Sequence, residues 1–263
     1  MNRVLIIQPL VSFYKTDMSV SVPILNSLDI ETVVLPVSFS VCNNDRGVEL
    51  TSKFSDFLDF SRENKIHFDC VFISGLFSEQ QLSSINNLLD DFNDKKDLLV
   101  IFNSNSFPKN SSSEYYNLCN KSNIFITNEN INNKKVLENN LIFDWLIIKD
   151  CNVSDSKKCC RIIEKKSNMQ NISIGFGETN ESDDKKIYYK SYPEEFRGNN
   201  DIFASVVTGA ILKGIPVEDS VRLALNFLNE AVEKTLSKPD YNWYGADFES
   251  VLSQLKTMVK NIL

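Results

Sequence analysis

The stretch Cys70-Val71-Phe72-Ile73-Ser74 decides the fold: it is a short apolar run, followed by helical periodicity over 78–95 and a second apolar run at 98–102. Short apolar strands alternating with longer helical stretches predict a mostly parallel sheet covered by helices on both faces, an α/β fold. Reading outward from that unit, the same rhythm places strands at 3–8, 32–36, 124–127, 145–149, 171–176 and 185–189. Helices are expected at 16–28, 50–64, 112–120 and 134–140, with a further one over 154–166. Three more, over 201–213, 216–237 and 247–263, make a helical carboxyl-terminal third. The polar stretch 178–186 reads as a hairpin loop or flap, and the Asn/Ser-rich 103–113 as a long loop.

A chain of 263 residues with 42% hydrophobic and 24% charged side chains has the composition of a soluble globular protein, and the expectation is one domain over 1–263. The net charge of −7 argues against nucleic acid or an anionic membrane as partner, since either needs a concentrated cationic surface. The apolar run that begins the chain is interrupted by Gln8-Pro9, too soon for a signal peptide, so a cytoplasmic location is expected. Six scattered cysteines form no C-x-x-C pair and are read as reduced thiols, several of them in the core. With His67 the single histidine, a zinc site and Ser/His or Cys/His machinery are both disfavoured, and His67 itself is read as a surface residue.

Gly198-Asn199-Asn200-Asp201 runs into a helix of small residues. A helix start leaves backbone N–H groups unpaired and carries a partial positive charge, so Gly198, Asn199 and Asn200 are candidates for an anion cradle. Asp201 then stands where a carboxylate can take a proton from an attacking hydroxyl. The alternative is a plain turn in which Asp201 caps its helix.

Four motifs in order give the chain a family resemblance. Val22-Pro23-Ile24-Leu25 through Thr32, with Leu35-Pro36, looks like "LPIL..MGI.T..LP", and Phe72-Ile73-Ser74-Gly75-Leu76-Phe77-Ser78 is similar to "YSGFLGS". Gly198-Asn199-Asn200-Asp201-Ile202-Phe203-Ala204-Ser205 falls on "GTGDLFAS", and Tyr244-Gly245-Ala246-Asp247-Phe248-Glu249 on "FGVNFE". The chain resembles the ribokinase-like vitamin kinases, most of all the pyridoxal/pyridoxamine kinase branch that borders on the hydroxymethylpyrimidine kinases. The resemblance implies a doubly wound αβα sandwich, a homodimer, and transfer of the ATP γ-phosphoryl group, with Mg2+, to the hydroxymethyl of a vitamer. It makes Asp201 the general base. Gln8, Ser12, Phe13, Asn43, Ser74 and Gly75 become candidates for holding the vitamer.

Departures from the family pattern cluster at the site. Asn199 and Asn200 replace the threonine and second glycine of "GTGD", and Asn103-Ser104 replaces an acidic "DP" pair. Asn132 stands where "TPNxxE" ends in glutamate, which leaves Glu129 as the candidate metal ligand, and then only with a local shift of register. Pro9 and Tyr14 alter the early substrate loop, although Phe13, Tyr14 and Phe39 offer faces for a flat ring or else belong to the core. Gly175-Phe176-Gly177 lacks the third glycine of a nucleotide loop and reads as a turn. Lys149, where the family places a phosphate-side "TG", reads as a solvated strand end. Three functions stay open: a B6-vitamer kinase, a hydroxymethylpyrimidine kinase, and a catalytically impaired relative that binds vitamer or nucleotide.

Overall fold

A computed structural model describes residues 1–42, 47–76, 78–92, 98–104, 112–128, 141–154, 156–164, 184–192, 196–241 and 243–263. Nine strands form one mostly parallel sheet: β1 (Arg3–Val11), β2 (Glu31–Ser40), β3 (Val48–Glu49), β4 (Cys70–Ser74), β5 (Leu99–Ser104), β6 (Ile124–Asn128), β7 (Trp145–Ser154), β8 (Lys157–Glu164) and β9 (Asp184–Lys190). Their order is β3-β2-β1-β4-β5-β6-β7-β8-β9. The helices are α1 (Met18–Ser27), α2 (Phe54–Glu63), α3 (Glu79–Phe92), α4 (Ser113–Lys121), α5 (Asn199–Leu212), α6 (Val217–Leu236) and α7 (Glu249–Lys260), and a 3-10 turn at Thr51–Lys53 leads into α2. The chain divides into two compact units, Met1–Gly75 with Pro193–Leu263, and Leu76–Tyr192.

In the first unit β1 lies between β2 and β4, parallel to both. Val4, Leu5, Ile6 and Ile7 have no exposed surface, as a strand packed on both faces requires. The β1–β2 register shifts between Gln8 and Leu10, where Pro9 has no N–H to give the ladder. Helix α5 is almost wholly buried, and its small residues explain how. A Cβ on Gly209 would stand 2.6 Å from Leu28 Cδ1 and 3.3 Å from Leu25 Cδ2, so glycine there lets α5 approach α1.

In the second unit β5, β6 and β7 run parallel, and β7, β8 and β9 run antiparallel. This corrects the helix expected over 154–166. Cys159, Cys160, Ile162 and Ile163 have a spacing that a helix also satisfies, but the run pairs with β7 on one side and β9 on the other. Backbone pairing along both edges outweighs local propensity. The strand expected at 171–176, the helix at 134–140 and the glycine turn at 175–177 lie outside the described residues. His67 is exposed, and five of the six cysteines are buried, all six free. Among the described residues no helix is long and apolar enough to cross a membrane.

Candidate functional site

Gly198 is the N-cap of α5 and takes the left-handed conformation, φ 79°. A Cβ there would lie 1.8 Å from the main-chain carbonyl oxygen of Lys15, so the residue must be glycine for space as well as for backbone angle. Asn199 and Asn200 form the first turn of the helix, and Ile202 N–H makes its first bond, 2.8 Å to the Gly198 carbonyl. The glycine N-cap offers no side chain to the first amides of α5, and the Asn199 N–H reaches the Phe196 carbonyl at 3.4 Å. The left-handed position thus falls on Gly198, and Asn200 has no such geometry to accommodate.

Asp201 belongs to that first turn and is 4% exposed. One turn further on, Ser205 Oγ lies 2.5 Å from the Asp201 carbonyl oxygen and 2.9 Å from Ser21 Oγ on α1. Ser21 in turn donates to Gln8 Oε1 at 2.9 Å. The β1 end, α1 and α5 are therefore joined by a buried polar column. Gln8 has no exposed surface, and its Nε2 has no acceptor among the described residues.

Asp17 is the residue that sequence reasoning missed. As the N-cap of α1 it would be expected to bond the first amides of its own helix, yet its side chain makes no such bond. Its backbone, φ 51° and ψ −128°, lies in a region that costs a non-glycine residue about 1–3 kcal/mol. A Cβ on Gly75, itself at φ 67°, would stand 2.8 Å from Asp17 Oδ1 and 2.6 Å from Pro9 Cδ. Burial, and after it the negative charge of Asp201, push the Asp17 carboxyl well above the usual carboxylate range.

Of the residues proposed from sequence, Asp201, Gly198, Asn199 and Asn200 share the start of α5, and Gln8 joins them through Ser21 and Ser205. Ser74 is fully buried at the end of β4, and Gly75 follows it beside Asp17. Ser12 is exposed, its N–H bonded to the Ser40 carbonyl at 3.0 Å. Phe13 and Phe39 are 54% and 40% exposed, so neither belongs to the core. Phe13 instead lies against Trp243, Tyr244 and Tyr14, at centroid separations of 5.8, 5.5 and 6.1 Å. Lys15 fastens this aromatic group to the site: its N–H donates to the Tyr244 carbonyl at 3.2 Å, and its ammonium pairs with Glu249 at 2.5 Å. Asn43 and Glu129 lie outside the described residues. Among the described residues no group of three or more His, Cys, Asp or Glu side chains is placed to hold a metal ion.

Lys149, expected in solvent, is 3% exposed and pairs with Asp150 at 3.0 Å. The partner that made burial affordable is the next residue in sequence.

The fold is that of the ribokinase-like kinases. No protein-family model matches the chain, and no curated protein does. The structure is similar to a Bacteroides thetaiotaomicron protein assigned as a phosphomethylpyrimidine kinase, one of whose crystal forms contains pyridoxal, with a TM-score of 0.79 and 17% identity over 97% of this chain and 95% of that one. Pyridoxal kinase from Lactobacillus plantarum superposes with a TM-score of 0.76 and 14% identity over 99% of each chain. Pyridoxal kinase from Leishmania donovani, in complex with ADP and pyridoxamine, gives a TM-score of 0.77 and 12% identity over 97% of this chain and 96% of that one.

Proposed function

We propose that the protein is an ATP-dependent kinase that phosphorylates the hydroxymethyl group of a B6 vitamer, with Asp201 as general base. The observation that carries this reading is the buried Asp201 carboxylate in the first turn of α5, directly after the uncapped, left-handed Gly198. The acceptor oxygen attacks the γ-phosphorus as its proton passes to Asp201, and the bond to the ADP oxygen breaks. Developing charge on the transferred group is met by the first amides of α5, already fixed in place by the helix. Mg2+, when bound, would offset the charge of the triphosphate. Similarity to kinases of vitamers and of phosphomethylpyrimidine supports the substrate class, a planar heterocycle bearing a hydroxymethyl group.

One observation favours a weaker catalyst. Asn103, 1% exposed at the end of β5, stands where the resemblance places an acid. The test is incubation with magnesium-ATP and each of pyridoxal, pyridoxamine, pyridoxine and hydroxymethylpyrimidine, with Asp201→Asn in parallel. Phosphorylated product that disappears in the variant supports the kinase. Nucleotide binding without product from any acceptor defeats it.

A further inference from the structure

We propose that Asp17 is a positioning residue for the reaction inferred above: it holds a proton beside Asp201, so that the two carboxyls share one negative charge and Asp201 carries it. The inference rests on that kinase reading for its chemistry, and on the fold of the first unit for its geometry. Helices α1 and α5 meet at Ser21 and Ser205, whose hydroxyl oxygens are 2.9 Å apart. A Cβ on Gly198 would lie 1.8 Å from the Lys15 carbonyl oxygen and 3.6 Å from Thr16 Cα, so the main chain just before Asp17 is packed on the N-cap of the helix whose first turn carries Asp201. Asp17 takes a backbone conformation that few side chains tolerate, and it leaves its own helix uncapped. A cap would have turned the carboxyl toward the α1 amides. The observed geometry places Oδ1 against Gly75 instead, where a Cβ on that residue would come within 2.8 Å.

Gln8 supplies an independent indication. It is wholly buried in the same column, its Oε1 is occupied by Ser21, and its Nε2 donor has no acceptor among the described residues. A wholly buried amide N–H with no described acceptor, in the column that joins α1 to the start of α5, fits a site built to receive an oxygen-bearing ligand. Among the described residues, the cations at this end of the unit are engaged elsewhere. Lys15 pairs with Glu249, Arg197 lies over the Tyr14 ring at 4.4 Å, and β1 and β4 bring Pro9 and Gly75. Asp201 is the charge that acts on it.

Two adjacent carboxylates ionised together would repel the incoming triphosphate and each other. One proton on Asp17 removes that repulsion and leaves Asp201 free to accept the hydroxyl proton. After transfer the pair holds two protons, ADP has left with the electrons of the broken P–O bond, and one proton returns to water.

Carboxyl-carbon NMR of the full chain labelled at aspartate tests the pair without reference to turnover. The Asp17 resonance, identified by its loss in Asp17→Asn, titrates well above the ordinary aspartate range and moves down in Asp201→Asn. Titration within the ordinary range, or no response to Asp201→Asn, overturns the proposal. The pH dependence of kcat is the second arm. Wild type loses activity on the alkaline side, and Asp17→Asn flattens that limb by about threefold, while Asp17→Ala lowers kcat about tenfold at unchanged KM and Asn restores part of it. Identical alkaline limbs in wild type and Asp17→Asn also overturn it. If no acceptor is phosphorylated at all, the kinase reading falls alone, and the titration still decides for or against the pair.

Discussion

Two sets of buried charge in this molecule are arranged in opposite ways. On β7 to β9 of the second unit, Lys149 pairs with Asp150, Tyr189 donates its hydroxyl to Asp150 at 2.7 Å, and Lys158 approaches the same carboxylate at 3.6 Å. Arg161 likewise holds Asp184 at 2.7 Å. Burial alone would raise the Asp150 pKa, but Lys149, Tyr189 and Lys158 outweigh it and hold the carboxyl below its usual value. In the first unit Asp17 sits on strained backbone, and burial together with the negative charge of Asp201 drives its pKa the other way. Neutralised charge serves the fold. A carboxyl raised in this way is a cost to stability at neutral pH, and such costs concentrate where chemistry is done.

The sharpest way to break this contrast is Asp201→Asn, for which vitamer phosphorylation should fall about 10²- to 10⁴-fold while the thermal midpoint holds or rises. A variant that unfolds would move Asp201 into the structural class. Lys149→Met should behave in the reverse manner, costing about 3 kcal/mol in urea unfolding because the partly buried Asp150 loses its nearest counterion and keeps only Lys158 at 3.6 Å, and Lys149→Met with Asp150→Asn should recover most of that loss. Gly198→Ala should cost about 2 kcal/mol by the same measurement, since main chain at Lys15 cannot yield to a methyl as a flexible side chain would.

The pH dependence of stability sharpens the comparison further. A carboxyl whose pKa is raised on folding keeps its proton when the unfolded chain has lost it, so its contribution declines as pH rises from the ordinary aspartate range toward the raised value. Asp17→Asn should match wild type in thermal midpoint near pH 4 and exceed it at neutral pH. The smallest effect is expected from Lys15→Met, within about 1 kcal/mol, because its carboxylate partner Glu249 is half exposed and the oxygen that packs on Gly198 belongs to the main chain.

What could be read beforehand follows from these energetics. The strand Cys70–Ser74 was legible to the residue because all five positions are buried, and an unbroken apolar run is what such a strand needs. The helix start at Gly198 was legible because a glycine before an acidic first turn states its geometry locally. The β8 strand was not, since its apolar residues fit two periods and the deciding partners lie elsewhere in the chain. Lys149 was misread because ionic residues are priced as exposed unless their partners are known. Asp17 was hidden in plain view: an aspartate before a helix reads as a cap, and only its dihedral angles reveal that it does not act as one.

Gly209 has a reach beyond its own neighbourhood. Two turns along α5 from Asp201, it sets the clearance between that helix and Leu25 of α1 and Leu28 just past its end. The missing methyl works as a calliper for the acidic pair, and a side chain added there would wedge the two rods apart and retune proton affinity at their tips without touching either carboxyl.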